Sequence, residues 1–263
     1  MTIQTLISCV NQDVLNLPAK MNLECDAVIV NQCDKDGYEE FAYNGYRIQV
    51  YHMSDRGVGL SRNTVLLHAT ADIVLFADED IVYNKGYAQQ ILGEFEKRPD
   101  ADILIFNMDV IQERATYFTM QEKEVRWYNS GRYPTYSMAV RREKLLAKNV
   151  WFSLLFGGGA KYSNGEDSLF IWDCLKKGMK AIALPVVIGK EEPRPSTWFN
   201  GYNEKFFFDR GVLYQVLYGK MAKTFALRFL WKHRTMMFNI ENADIRSMKE
   251  AYSLMKKGME EMK

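Results

Sequence analysis

Residues 57–80, GVGLSRNTVLLHATADIVLFADED, carry the reading that decides the fold. Leu60, Val65, Leu66 and Ala69 mark one face of a short helix, with Arg62 in its first turn and Gly57 and Gly59 loosening the approach. An apolar run, Ile73 to Ala77, then ends abruptly in Asp78, Glu79 and Asp80. Such a run reads as a buried strand, and in an open α/β sheet ligands collect beyond the carboxyl ends of the strands. Three carboxylates crowded at that edge repel one another. A divalent cation carrying a phosphate would compensate them, because hard cations take carboxylate oxygens and keep positions open for phosphate and water. An Asp-x-Asp triplet by itself is commonly a solvated turn. The helix and strand ahead of this one are what mark it as a site.

Outward from this block, Thr5 to Val10, Ala27 to Val30, Ile48 to His52 and Ile103 to Met108 also read as strands, separated by helical patterns or turns as in a βαβ sheet. Polar segments such as Gln32 to Gly37 follow them on the expected ligand-binding edge. Val110 to Pro134 is polar and dotted with aromatics, without a clear period. Tyr136 to Arg141 reads as a further strand and a short helix starts at Glu143. Gly157, Gly158 and Gly159 make a flexible loop. A helix is expected from Glu166 to Lys177, then a strand from Ala181 to Ile188 whose Pro185 suggests a sheet edge. After Trp198 the chain is aromatic-rich and helical, closing with a surface helix over Asn242 to Lys263.

With 263 residues, 48% hydrophobic and 25% charged, the chain is an ordinary globular protein able to bury a sizeable core. A net charge of +1 gives no global pull toward nucleic acid. Cys9, Cys25, Cys33 and Cys174 lack metal-type spacing and are expected as free thiols. Neither a leader pattern nor an uncharged apolar run long enough to span a bilayer is present. A cytoplasmic protein is therefore expected.

A second acidic site, Asn164-Gly165-Glu166-Asp167, precedes the helical pattern of Leu169, Phe170, Trp172, Cys174 and Leu175. Asn164 is the expected cap, and acids in a first turn complement the helix dipole. The same dipole favours the ionised carboxylate, the form a general base needs.

Gly-Leu-Ser-Arg-Asn at 59–63, the helix, the acid-terminated strand and the later Glu-Asp pair together resemble family 2 glycosyltransferases. The resemblance covers most of residues 3–220 and weakens beyond. It implies the glycosyltransferase-A fold: a Rossmann-like, mixed, mostly parallel α/β sheet flanked by helices. The implied domains are a catalytic domain over 1–220, with a nucleotide-sugar half (1–108) and an acceptor half (109–220), and a helical extension over 221–263. It further implies a metal-dependent inverting transfer of a hexosyl or N-acetylhexosaminyl group. The donor would be a nucleoside-diphosphate sugar, with UDP expected. The acceptor would be a hydroxyl of a saccharide or lipid-linked saccharide, in bacterial polysaccharide, capsule or lipopolysaccharide assembly. By this resemblance Asp167 deprotonates the acceptor beside Glu166, Arg62 contacts the nucleobase, Asp78 lies against the ribose, and Asp80, with Asp78, holds Mn²⁺ or Mg²⁺. Val10, Asn11, Asn31, Gln32, Gly57, Ser61, Glu79 and Gly158 join the donor site, while Arg194 and Trp198 belong to a loop closing over the diphosphate.

Two positions depart from the family pattern. Asn31-Gln32 stands where paired aspartates are usual, although amides can still bond a base edge. No histidine follows the strand at Ala181 to Ile188, so Glu191 or Glu192 would have to replace that metal ligand. These departures keep a non-catalytic nucleotide-sugar-binding subunit as an alternative. A sugar nucleotidyltransferase is a weaker one, because Ser8-Cys9-Val10-Asn11-Gln12 is not a Gly-rich, Arg-containing phosphate loop.

Between Lys220 and Arg234 lie five cations and no acid, and Ala222, Phe225, Ala226, Phe229 and Leu230 cluster on one helical face. Basic amphipathic helices can lie on anionic membranes, which makes a peripheral contact with the inner face of the plasma membrane one reading. Packing of that apolar face inside the protein, with a solvated basic rim, is the preferred one.

Overall fold

The computed structural model describes residues 1–110, 117–192, 201–238, 245 and 247–262. They form two compact units, Met1–Leu154 with Asp167–Pro195, and Leu155–Glu166 with Ser196–Lys263.

The first unit is built on one ten-stranded sheet. Its strands are β1 (Ile3–Val10), β2 (Asp26–Gln32), β3 (Gly37–Tyr43), β4 (Tyr46–Met53), β5 (Ile73–Asp78), β6 (Ile81–Tyr83), β7 (Ile103–Asp109), β8 (Lys123–Glu124), β9 (Met138–Arg141) and β10 (Ala181–Glu191). The order across the sheet is β3-β4-β2-β1-β5-β9-β7-β10-β6, with β8 also on β10. Strands β1, β2, β4, β5, β7 and β10 run one way, and β3, β6, β8 and β9 run against them. The helices of this unit include α1 (Leu17–Lys20), α2 (Val58–His68), α3 (Tyr87–Lys97) and α4 (Arg142–Ala147), with α5 (Glu166–Lys176) starting at the unit boundary. Pleating sends alternate residues to opposite faces. Ile7, Ile29 and Leu75 join the core with α3, whereas Leu6, Val28 and Phe76 join the core with α2 and α5.

Each expected strand is present, and the structure adds three. The hairpin β3–β4 turns at Asn44-Gly45, with φ of 50° and 86°, the turn chemistry of a tight hairpin. Its outer strand is too exposed to have stood out by hydrophobicity. Strand β10 is not the outermost strand, yet Pro185 falls between the stretches paired with β8 (Ile182, Ala183) and with β6 (Gly189–Glu191), a local edge among the described residues. Strand β10 has β7 on one side and β6 and β8 on the other, and its register with β7 shifts between Ala183 and Val187. The missing N–H falls in this irregularity, where ladder pairing is already interrupted.

The second unit packs α6 (Glu204–Tyr218), α7 (Ala222–Lys232), α8 (Arg234–Phe238) and α9 (Met248–Glu261) around Phe207, Ala226, Leu230, Met237 and Met255. The apolar face expected on α7 is therefore internal. The closing helix is amphipathic: Ala251, Met255, Gly258 and Met259 bury one of its faces, and Lys249, Glu250, Lys256 and Lys257 lie on the exposed one. Residues 201–220 share this core with the helices that follow. Among the described residues no helix is long and apolar enough to cross a membrane.

Candidate functional site

Strand β1 is flanked by parallel β2 and β5, so the carboxyl ends of these three strands open a crevice where the chain order reverses. Ser8 lies opposite Asp78 in the β1–β5 register. The period-2 alternation places Ser8, Gln32 and Asp78 on the sheet face covered by α2, and Asn31 on the other. Gln32 accepts a hydrogen bond from the Gly57 N–H at 2.6 Å, fastening β2 to the start of α2. The Asn31 amide instead holds the turn after β1, donating to the Gln12 carbonyl and accepting from its N–H, both at 3.1 Å. Val10 ends β1, and Asn11 follows in the left-handed region at φ 49° with its N–H on the Gln32 carbonyl.

Helix α2 delivers Arg62 to this crevice. A methyl group at Gly59 would sit 2.2 Å from the Ser153 carbonyl oxygen, so only glycine lets that segment approach. The Arg62 guanidinium is buried, 5.5 Å from the centroid of the Phe152 ring. It bridges two carboxylates far apart in sequence, with Nη1 donating to Asp167 Oδ1 at 2.8 Å and Nη2 to Asp78 Oδ1 at 3.2 Å. Asp167 Oδ1 also accepts a hydrogen bond from the Thr135 hydroxyl. Asp167 is carried on the first turn of α5, whose Phe170 stacks on Phe152 with centroids 4.0 Å apart. The expected capping bond from Asn164 is not made: its Oδ1 is buried without a hydrogen-bond partner.

At Asp78 burial outweighs the guanidinium. Burial pushes the Asp78 carboxyl above the usual carboxylate range, Arg62 opposes this, and the neighbouring Asp80 and Asp167 add to it. Glu79 and Asp80 are buried in the turn after β5, and the Asp80 carbonyl accepts the Glu192 N–H at 2.8 Å, joining that turn to the end of β10. Glu191 accepts from the Tyr136 hydroxyl at 3.2 Å. Burial, then Glu191 and Asp78, push the Tyr136 phenol up, so it stays a donor at neutral pH.

Among the described residues no three His, Cys, Asp or Glu side chains group as a metal site. A divalent cation would therefore draw on Asp80 and Asp78 and complete its shell with diphosphate oxygens and water, the way Mg²⁺ commonly binds. The strained ionisation of Asp78 fits such a cation.

The structure brings Gly57, Ser61, Arg62, Gln32, Asp78 and Asp167 to the α2 side of the sheet. Ser61 lies beside Arg62 on α2, and its hydroxyl, like that of Ser8, is buried without a hydrogen-bond partner. Gly158 and Glu166 belong to the second unit, in and after the loop closed by Phe156 and Tyr162. Arg194 and Trp198 lie outside the described residues. Ser8, Thr135 and Tyr136 had no signal in the sequence, since each is an ordinary strand or turn residue until the register and the packing bring it to the acids.

The model of the family described as glycosyl transferase family 2 matches residues 2–154. No curated protein matches the chain. Residues 1–349 of S. aureus TarS in complex with UDP-GlcNAc superpose with a TM-score of 0.62 at 18% identity, covering 91% of this chain and 74% of that one. The same fragment without ligand gives 0.63 at 16% identity, covering 100% and 83%. A longer S. aureus TarS chain gives 0.61 at 18% identity, and this protein spans 46% of its length. At such identities the likeness is one of fold, and the sheet with its flanking helices is the expected glycosyltransferase-A arrangement. The family match, which takes in more than half of the chain, makes the protein a member of glycosyl transferase family 2.

Proposed function

We propose that the protein is an inverting, metal-assisted glycosyltransferase that moves an N-acetylhexosaminyl or hexosyl group from a UDP-sugar to a saccharide or lipid-linked hydroxyl in polysaccharide, capsule or lipopolysaccharide assembly. The observation that carries the reading is the Arg62 bridge between Asp78, at a strand end, and Asp167, at a helix start. One buried guanidinium touches both carboxylates, which supports assigning them to the donor and acceptor sides of one site. The UDP-GlcNAc and UDP bound by S. aureus TarS support the choice of donor.

In this mechanism Asp167 accepts the proton of the acceptor hydroxyl while its oxygen attacks the anomeric carbon. The carbon–oxygen bond to the diphosphate breaks on the opposite face, and the configuration inverts. The first turn of α5 carries Asp167, and the Thr135 hydroxyl orients its carboxylate. Arg62 is a bidentate donor suited to anionic oxygen, so an arriving nucleotide competes with Asp167 for it and frees the base. Mn²⁺ or Mg²⁺ on Asp80 and Asp78 would neutralise the diphosphate charge. We place the reaction in the cytoplasm.

Screening the purified chain against nucleotide sugars with Mn²⁺, and reading released nucleotide, tests the proposal. Hydrolysis or transfer from a UDP-sugar, with the opposite anomeric configuration in the product, is expected. Tight nucleotide-sugar binding with neither hydrolysis nor transfer for any acceptor would instead favour a binding subunit.

A further inference from the structure

With one face of α7 buried in the helical core, its outward face is left to be explained. At about 100° per residue, Lys223, Leu227, Trp231, Arg228 and Lys232 spread in that order across the exposed arc, opposite buried Ala222 and Ala226. Leu227 is 49% and Trp231 64% exposed, and Met221 and Met236 extend the apolar patch at either end. Among the described residues Lys220, Lys223, Arg228 and Lys232 form no ion pair, and no acid occurs between 220 and 238. Arg234 donates to the Trp231 carbonyl at 2.7 Å and lies 5.1 Å from its ring centroid, which pre-organises the indole. Beside this face, a cavity of about 280 Å³ is lined by three cations, Lys220, Lys223 and Lys256, against one acid, Glu260, with Met259 among its apolar walls.

We propose that the outer face of α7 docks on an anionic phospholipid bilayer, with Leu227 and Trp231 entering the headgroup boundary, the flanking cations on lipid phosphates and the lysine cavity receiving a headgroup. A soluble polyanion would engage the cations and leave Leu227 and Trp231 in water. A second copy meeting this face across a two-fold axis would set cation against cation. An acidic bilayer satisfies both features, since interfacial helices bury an apolar strip between basic residues. The proposal is read without sugar transfer and stands apart from the catalytic reading.

Sedimentation of the full chain with phosphatidylcholine vesicles, with and without phosphatidylglycerol, tests it. Binding is expected only with phosphatidylglycerol, and high salt should weaken it. Lys223→Gln and Arg228→Gln should each weaken partition about fivefold. The double variant Leu227→Ser/Trp231→Ser should weaken it by at least about tenfold at unchanged melting temperature. If that variant melts low, Trp231→Ser alone carries the measurement. Failure of the parent to sediment with acidic vesicles overturns the proposal. So does loss of binding in the charge variants but not the apolar ones, which would mark a soluble-polyanion surface. Vesicle-free dimerisation abolished by Trp231→Ser, without vesicle binding, would assign the face to a second copy instead.

Discussion

Replacing Asp167 by asparagine leaves an oxygen for Arg62 and Thr135 but nothing that can take a proton. Turnover with the true acceptor should fall about a hundred- to ten-thousandfold, while UDP-sugar affinity by calorimetry is at least that of the parent, because a neutral amide competes less well than the carboxylate for Arg62. Unchanged turnover would reassign Asp167 to a structural pairing with Arg62. Asp78 makes a different prediction. Its folded pKa is raised, so its ionisation costs stability as pH rises through that value, and below its unfolded pKa the cost vanishes. Asp78→Asn should therefore melt higher than the parent at neutral pH and about equal to it in acid, in the absence of nucleotide. Arg62→Ala removes the cation shared by both acids. Because both carboxylates keep partial solvent access, the loss should be about 2 kcal/mol, between the exposed and buried limits. Adding Asp78→Asn to Arg62→Ala should restore part of it in denaturant melts. Asp78, Arg62 and Asp167 were legible in the sequence because each stands at a strand end or in a first helical turn. Tyr136 and Thr135 were not, since only the antiparallel insertion of β9 beside β5 carries them to the acids.

At the scale of elements, the helices meet at glycines. Gly211 of α6 and Gly258 of α9 face each other's helix so closely that an added methyl would lie 2.0 Å from the Met255 carbonyl oxygen and 2.1 Å from that of Phe208. Gly258→Ala should cost about 1–3 kcal/mol by overpacking, read as a lower melting temperature with loss of helical signal. A parent-like melting curve would mean that the two helices separate without cost. The strands that bury both faces were readable as apolar runs, and α5 as a periodic one. Strand β3 was not, because it alternates exposed with half-buried residues and its only local mark is the Asn44-Gly45 turn. The inward face of α9 is a weak stripe of alanine, glycine and methionine, and the close approach that buries them is a property of the pair of helices.

For the molecule as a whole, UDP with Mn²⁺ should stabilise the fold. At a hundredfold excess over the dissociation constant, linkage predicts about 2.7 kcal/mol, or a melting shift of roughly 5–10 °C. Chelation should remove most of that shift if Asp80 and Asp78 hold the cation, and a full shift in excess chelator would place the affinity in Arg62 and the strand-end backbone alone. What the sequence by itself determined is the order of strands and helices, the acid-terminated strand at Asp78, the helix start at Asp167 and the family. Each of these is local, a period or a terminus readable within a dozen residues. What only the tertiary structure decided is which of them meet. The Arg62–Asp167 bond joins residues 105 apart in the chain, and it forms because α2 and α5 pack on the same face of the sheet. Packing also decides what covers the apolar face of α7 that the sequence marks, which is the core shared with α6 and α9. Leu227 and Trp231 are as apolar as buried Leu230, and they stay outside because no described element of that unit packs over their arc of the helix.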